Sequence, residues 1–202
     1  MNRLEFGDWG LEDLMAFRII CQPAVFMRRS VLEQAGYLDA AYHFMLDHQL
    51  WLRLARLAPV RHVAQAWAAA RHHATAKNVA QAAKFGGEIF AILGWMQSQP
   101  DLAPLVEQNR RKIEAGAYRL DARYLLDAGQ PGASLRSYGR ALMKDPSYTL
   151  RHWHRMAYAA AALVGLDGLV DRLLGGSSGR SPVPDLPAWT AGWPGLSGEN
   201  RL

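Results

Sequence analysis

The chain has 202 residues, of which half are apolar and a fifth are charged. This composition excludes a disordered or collagen-like protein, and it suits one ordinary domain or a small domain with an appendage. The formal net charge is +5, but the excess forms no basic block, so nucleic-acid binding is not predicted. The single cysteine, Cys21, excludes an intrachain disulfide framework and suits a reducing cytoplasm.

The sequence shows no targeting segment and no membrane span. Residues 1–8 lack the apolar run of a signal peptide. The most apolar window, Met156 to Leu174, includes Asp167, Asp171 and Arg172, so we expect a soluble or interfacial helix there. The predicted location is the cytoplasm, and a peripheral position at the inner face of the membrane is left open.

The chain divides into three zones. Residues 1–80 mix strand-like and helix-like pieces, and residues 81–174 read as helical. Residues 175–202 begin with a Gly/Ser/Pro-rich run, which predicts a disordered tail. Trp189 and Trp193 in this tail either dock elsewhere or are incidental. The predicted fold class is therefore mixed α/β, mostly helical.

The first zone begins with short apolar segments. Residues 17–21 and 25–27, separated by a proline, predict a strand, a break and a second strand. A short helix follows, because Ser30 and Glu33 can form a capping box at its start. Gly36 then stands where that helix would stop.

The next helix is predicted to begin near Leu46 or Asp47 and to end before Pro59. Its apolar face spans an arc of roughly 140° at helical spacing, and is formed by Leu46, Leu50, Trp51, Leu54, Leu57 and Ala58. Asp47 falls in the middle of this arc. Two interpretations are open: Asp47 caps the helix N-terminus, or it is an ionised carboxylate that faces a pocket and works as a base.

A basic segment follows a short strand predicted at 60–63. Five of the seven histidines lie between His43 and His73, but they lack the spacing of a zinc site, so no metal ligand is assigned. Arg71, His73 and Lys77 form a cationic cluster that suits a diphosphate. The alternative is a solvated basic loop.

The second zone predicts a series of helices at 78–99, 102–128, 133–144 and 148–174, and the two glycines at 165 and 168 offer a break in the last of them. Four residues have the spacing of the second helix of a tetratricopeptide repeat: Ser134, Tyr138, Ala141 and Pro146. Only one copy is present, so we expect a helical hairpin and no repeat array. One functional hypothesis is therefore a non-catalytic, half-repeat-like module for protein interaction.

The order and spacing of four segments resemble the C-terminal half of the catalytic domain of family 2 (GT-A type) glycosyltransferases. The segments are Gln22-Pro23-Ala24-Val25-Phe26-Met27-Arg28-Arg29, Gly36-Tyr37-Leu38-Asp39, Leu46-Asp47-His48-Gln49-Leu50-Trp51-Leu52-Arg53-Leu54 and Arg71-His72-His73-Ala74-Thr75-Ala76-Lys77. The resemblance implies a partial, Rossmann-like GT-A half at 1–80, followed by a helical extension at 81–174 and the tail at 175–202.

The implied activity is the transfer of a sugar, with inversion, from a nucleotide-sugar to a hydroxyl of a glycan, a lipid carrier or a protein. Asp47 matches the general base, which makes the functional interpretation of this residue the preferred one. Gln22 and Trp51 match the acceptor side, and Arg53 would brace the helix. Three residues would face the donor diphosphate: Arg71, His73 and Lys77.

The chain departs from this family in its donor site. It contains no D-x-D motif and no Gly-rich phosphate loop. In the family D-x-D holds Mg²⁺ or Mn²⁺, so a divalent metal is expected for a full-length enzyme and none is assigned to this chain. We expect the donor-binding half to be missing ahead of Met1, the chain alone to be inactive, and the exposed strand edges of the first zone to favour self-association.

Overall fold

A computed structural model describes residues 9–20, 22–65, 67–68 and 81–166. Helices make up 69% of these residues. The α-helices in chain order are α1 (Leu11–Met15), α2 (Arg29–Ala35), α3 (Leu46–Leu57), α4 (Phe85–Ser98), α5 (Ala103–Gln108), α6 (Arg110–Asp127), α7 (Pro131–Lys144), α8 (Pro146–Thr149) and α9 (Trp153–Leu163). Short 3₁₀ turns occur at Gln22–Ala24, Ala82–Lys84 and Leu150–His152.

The prediction of a mixed α/β fold with a partial Rossmann-like GT-A half is wrong, because the described residues contain no strand and no sheet. The segments predicted as strands at 17–20, 25–27 and 60–63 are turns or irregular backbone. A strand is stable only beside a neighbour that accepts and donates its ladder hydrogen bonds, and the described part of the chain offers none. Phe17 turns sharply instead, with φ at 58°.

One apolar core joins residues from both sides of position 80. It is formed by buried side chains of α1, α3, α4, α5 and α6 and their connecting turns, including Leu14, Phe17, Leu50, Leu52, Ile89, Ile92, Met96, Leu102, Val106, Ile113 and Leu120. Four apolar side chains of α4, at a spacing of three or four residues, are buried in this core: Phe85, Ile89, Ile92 and Met96. The proposed domain boundaries stay a prediction.

The turn after α1 lies directly against α6. The backbone of Ala16 approaches Gly116 so closely that a Cβ at position 116 would be 2.1 Å from the Ala16 carbonyl oxygen. The same carbonyl accepts a hydrogen bond from Tyr148 Oη at 3.2 Å, and the Phe17 carbonyl accepts one from Arg119 Nη2 at 2.7 Å. The N-terminal turn is therefore attached to the C-terminal helices by close packing and by hydrogen bonds.

The predicted helical hairpin is formed by α6 and α7. Ser134, Tyr138 and Ala141 are buried on one face of α7, at most 1% exposed, as the repeat-like spacing suggests. Ser134 Oγ donates to the Ala122 carbonyl at 2.7 Å, which fixes the register of the two helices. The predicted helix at 102–128 is divided near Asn109 into α5 and α6.

The short helix α2 is held by α3. It begins at Arg29, so Ser30 lies inside the helix and the predicted capping box is wrong; Glu33 instead accepts from Arg29 Nε at 2.8 Å. The helix ends at Gly36, whose φ of 75° suits glycine. Arg53 of α3 donates to three backbone carbonyls at this end, over distances of 2.5 to 2.8 Å.

Candidate functional site

The segment that leads into α3 is held by a distant carboxylate. Glu88 of α4 accepts hydrogen bonds from three successive backbone N–H groups at 2.7 to 2.8 Å, those of His43, Phe44 and Met45. Met45 is the N-cap residue and its side chain makes no capping hydrogen bond. Asp47, two residues further along the chain, is therefore not the N-cap residue.

Asp47 lies in the first turn of α3 and is half-buried. Its Oδ1 accepts from the His48 N–H at 2.7 Å. Burial raises the pKa of the Asp47 carboxyl, although hydrogen bonds from backbone N–H groups oppose the shift. Tyr124 of α6 is electrostatically coupled to Asp47; burial raises the pKa of its phenol to about 12, so the hydroxyl is protonated near neutral pH. Its ring stacks on Phe85, with ring centroids 4.0 Å apart.

The neighbouring His48 faces the core and has a structural role. Its Nε2 is 3.1 Å from the Leu14 carbonyl, and since a carbonyl only accepts, Nε2 carries the hydrogen. The ring stacks on Phe17 with centroids 5.4 Å apart. Burial lowers the pKa of His48 to about 4, so the imidazole is neutral near physiological pH.

An open apolar cleft of about 670 Å³ lies beside α3. Its walls come from the turn after α1, from the segment before α2, from α3 and from the segment that follows α3. The lining includes large apolar side chains: Ile19, Ile20, Val25, Phe26, Trp51, Leu54, Val60 and Trp67. Phe26 is 79% exposed, and its ring meets the ring of Trp67 edge to face, with the ring centroids 6.0 Å apart. A groove with exposed aromatic walls is suited to an apolar ligand or to an apolar surface of another molecule.

Asp47 stands next to this cleft but does not line it. Trp51, Leu54 and Ala58 line the cleft, and they follow Asp47 at intervals of about one, two and three helical turns. Asp47, Trp51 and Leu54 therefore share one face of α3, with Asp47 one turn beyond the end of the cleft, and Ala58 follows as the C-cap residue. Trp51 is buried, and its Nε1 has no hydrogen-bond partner among the described residues.

The described ionisable side chains at the cleft are basic ones. Arg28, Arg61 and His62 line the cleft, and no Asp or Glu does so among the residues that the structure describes. Gln22, predicted on the acceptor side, is exposed in the 3₁₀ turn at Gln22–Ala24 and is not a lining residue, whereas Ala24 of the same turn is. Of the predicted acceptor residues, the structure brings Trp51 to the cleft and leaves Gln22 outside it.

The residues predicted to face the donor diphosphate, Arg71, His73 and Lys77, lie outside the described residues. In the part of the chain that is described, no group of three or more His, Cys, Asp or Glu side chains is placed to hold a metal ion. Asp47 therefore has no described companions for a divalent ion. The metal expected for a full-length enzyme stays a prediction, and no chemical step is derived through it.

Sequence reasoning missed Glu88 and Tyr124. Both belong to helices distant in sequence, and nothing in their local pattern distinguishes them from ordinary helix residues. Only the three-dimensional packing shows that Glu88 holds the backbone before α3 and that the charge of Asp47 acts on Tyr124.

No described helix is both long enough and apolar enough to cross a membrane. No protein family model matches the chain, and neither a curated protein nor a solved structure matches it. The functional assignment consequently depends on the sequence segments and the geometry given above.

Proposed function

We propose that the chain takes part in sugar transfer from a nucleotide-sugar donor, with Asp47 as the general base and the cleft beside α3 as the acceptor-binding surface. The observation that carries the proposal is the position of Asp47: a half-buried carboxyl with a raised pKa, on the face of α3 that also bears the cleft residues Trp51 and Leu54. The resemblance of the segments around Gln22, Asp47 and Arg71 to family 2 glycosyltransferases supports it.

In this reaction the acceptor hydroxyl oxygen attacks the anomeric carbon of the donor. The bond from that carbon to the diphosphate breaks with its electron pair on the diphosphate oxygen, and the hydroxyl proton passes to Asp47. A base with a pKa raised toward the working pH takes up a proton more readily than an ordinary aspartate. Arg71, His73 and Lys77 are proposed to neutralise the departing diphosphate, as the resemblance implies.

The test is a transferase assay with a panel of nucleotide-sugars, on the chain joined to a donor-binding region that contains a D-x-D motif. Asp47→Asn should lower kcat by about 10²- to 10⁴-fold, the usual contribution of a general base. Asp101→Asn is the matched control, because Asp101 is exposed and pairs with Arg56 away from the cleft. Full activity of Asp47→Asn would remove this residue from the base role.

The pH dependence gives a second readout of the same role. Asp47 must be ionised to accept a proton, so activity should fall on the acid side, and burial moves that limb to higher pH than an exposed aspartate would give. A profile whose acid limb is unchanged in Asp47→Glu and Asp47→Asn would assign the limb to another group.

The second candidate function is a non-catalytic module for protein interaction. The observation that favours it is the all-helical packing of the described residues, in which α1 to α3 share one core with α4 to α6. In this case the cleft residues Phe26 and Trp67 would bind an apolar segment of a partner protein. Replacing both by serine would then abolish the interaction, and Asp47→Asn would leave it unchanged.

A further inference from the structure

The walls of the cleft beside α3 combine apolar side chains with exposed basic ones. Phe26, Val63 and Trp67 are apolar lining residues, exposed by 79%, 57% and 47%. Arg28 and Arg61, here called the cleft arginines, line the same cleft and are exposed as well. A ligand that is complementary to both kinds of wall has an apolar part and an anionic part.

The carboxylates in the part of the chain that builds the cleft do not lie on its walls. Residues 17–68 contain six arginines and three acidic residues: Glu33, Asp39 and Asp47. Glu33 pairs with Arg29 at 2.8 Å, and the charge of Asp39 acts on Arg53. None of the three carboxylates is a lining residue of the cleft.

Acidic residues that reach this part of the chain from other helices pair with different arginines. Asp101 accepts from Arg56 of α3 at 2.7 and 2.8 Å, and Asp13 of α1 is 3.6 Å from Arg18 Nε. The cleft arginines, by contrast, form no ion pair with a described residue. Their two positive charges are therefore available to an anionic group of a ligand.

We propose that the acceptor bound in the cleft is an anionic amphiphile, a single molecule with one hydrocarbon chain and a phosphate or carboxylate group. The hydrocarbon chain would pack against the apolar lining. The anionic group would pair with the cleft arginines, because guanidinium groups match the geometry of both kinds of oxyanion. A hydroxyl group on the same molecule would be the attacking acceptor. This inference rests on the function proposed above and narrows its acceptor to one chemical class.

The size of the cleft favours a single small molecule over a protein partner. Its volume of about 670 Å³ lies within the roughly 300 to 1,000 Å³ of small-molecule sites. A stable protein partner typically covers about 800 Å² on each side, which is more than one cleft of this kind. An amphiphile would bury its chain between the apolar walls while its anionic group stays at the exposed arginines, so both parts of the molecule meet suitable surroundings.

The experiment is isothermal titration of the full chain with decyl amphiphiles, each kept below the concentration at which it forms micelles. Decyl phosphate and decanoate are the anionic probes, and decyl glucoside is the neutral probe. The anionic probes should bind about tenfold more tightly than the neutral one, and this difference should shrink as salt is added. Butyl phosphate should bind at least about tenfold more weakly than decyl phosphate, because it has a shorter chain to bury.

Variants separate the two parts of the recognition. Arg28→Gln and Arg61→Gln should each weaken the binding of decyl phosphate about fivefold and leave that of decyl glucoside unchanged. Phe26→Ser should weaken the binding of both probes about tenfold. Trp67→Ser replaces it if circular dichroism shows that Phe26→Ser disturbs the fold.

The matched controls lie on α7, away from the cleft. Arg136→Gln removes an exposed arginine, and Met143→Ser removes an apolar side chain that is 77% exposed, close to the fraction for Phe26. Neither residue lines the cleft. Both control variants should bind every probe like the parent chain.

Four results would overturn the proposal. Equal affinity for the anionic and neutral probes, or equal affinities of the cleft-arginine variants and Arg136→Gln, would show that the cleft does not recognise the anion. Binding that begins only when micelles form would indicate a lipid surface instead of a single molecule. No binding of either anionic probe would leave the cleft to a protein partner. The titration contains no donor and measures no transfer, so each of these failures is distinct from a failure of the base role, which Asp47→Asn tests in the transferase assay.

Discussion

Replacing Gly116 by alanine tests the docking of the N-terminal turn on α6. An added Cβ would lie 2.1 Å from the Ala16 carbonyl oxygen and 2.7 Å from its carbonyl carbon, whereas real Cβ atoms essentially never approach a neighbour closer than 3.0 Å. The Ala16 backbone would therefore have to move by about 1 Å, in a segment with little freedom to move. Its carbonyl and that of Phe17 are both hydrogen-bonded to the C-terminal helices.

The expected loss of stability follows from three contributions. Overpacking a well-packed interior costs about 1 to 3 kcal/mol, and a buried hydrogen bond left unmade costs about 1 to 3 kcal/mol. Alanine in place of glycine in a helix returns about 1 kcal/mol. We therefore expect Gly116→Ala to lower the free energy of unfolding by about 3 kcal/mol, with most of the loss local to the turn after α1.

Urea denaturation of Gly116→Ala and Gly94→Ala, followed by hydrogen exchange of residues 11–20, measures this effect. Gly94 is a matched control, because it also lies in a helix and a Cβ there would meet no atom within 4 Å. Gly94→Ala should stabilise the protein by about 0.5 to 1 kcal/mol. If Gly116→Ala stabilised the chain as much as Gly94→Ala, the close contact between α6 and the turn at Ala16 would not exist in solution.

Three further predictions concern the residues that join distant helices. Glu88→Gln should lower the free energy of unfolding by about 2 kcal/mol, because an amide replaces the carboxylate that accepts from three N–H groups. Thermal or urea unfolding measures this change. The exposed control Glu33→Gln should change the free energy of unfolding by less than about 0.5 kcal/mol. The folded-state pKa of His48, about 4, lies below its ordinary value, so the unfolded chain binds the proton first and stability should fall as pH drops from about 6.5 to about 4. In urea titrations across this pH range, the loss of unfolding free energy should be about 2 to 3 kcal/mol smaller in His48→Gln than in the parent chain. If the loss were the same in both, the pH dependence would belong to other groups. A double-mutant cycle on the bidentate Arg56–Asp101 ion pair should give a coupling free energy of about 1 kcal/mol, because both side chains are partly exposed. A coupling near zero would mean that the pair is not formed in solution.

The helices could be predicted where local signals agreed. Apolar periodicity and Pro59 predicted the C-terminal end of α3 to within one residue of Leu57, where the helix ends. The glycines at 36 and 165 stand where α2 and α9 stop, both with φ near 75°. These features depend on residues within a turn or two, which is the range over which a sequence pattern acts directly.

The predicted strands were wrong because a short apolar run does not define a strand by itself. Residues 17–20 and 25–27 have apolar side chains that suit a sheet, yet they equally suit an irregular segment packed against helices. The turn at Phe17 is set by contacts from α6 and from Tyr148, more than 100 residues away. No pattern within the segment contains that information.

The candidate site could be predicted only in part. The contacts made by distant helices, which the sequence does not show, explain why Asp47 is unusual. Periodicity placed this carboxylate on the apolar face of α3, but a cap and a base fit that position equally well. Glu88, more than 40 residues further along the chain, holds the three N–H groups that precede α3, and Met45 occupies the N-cap position. Asp47 forms no ion pair with a described residue and still loses water contact, so its raised pKa reflects burial that capping does not require. A carboxylate held in this way destabilises the fold at neutral pH relative to an exposed one. The base role proposed for Asp47 would account for a carboxylate kept at the end of the cleft despite this cost, and the comparison of Asp47→Asn with Asp101→Asn tests it.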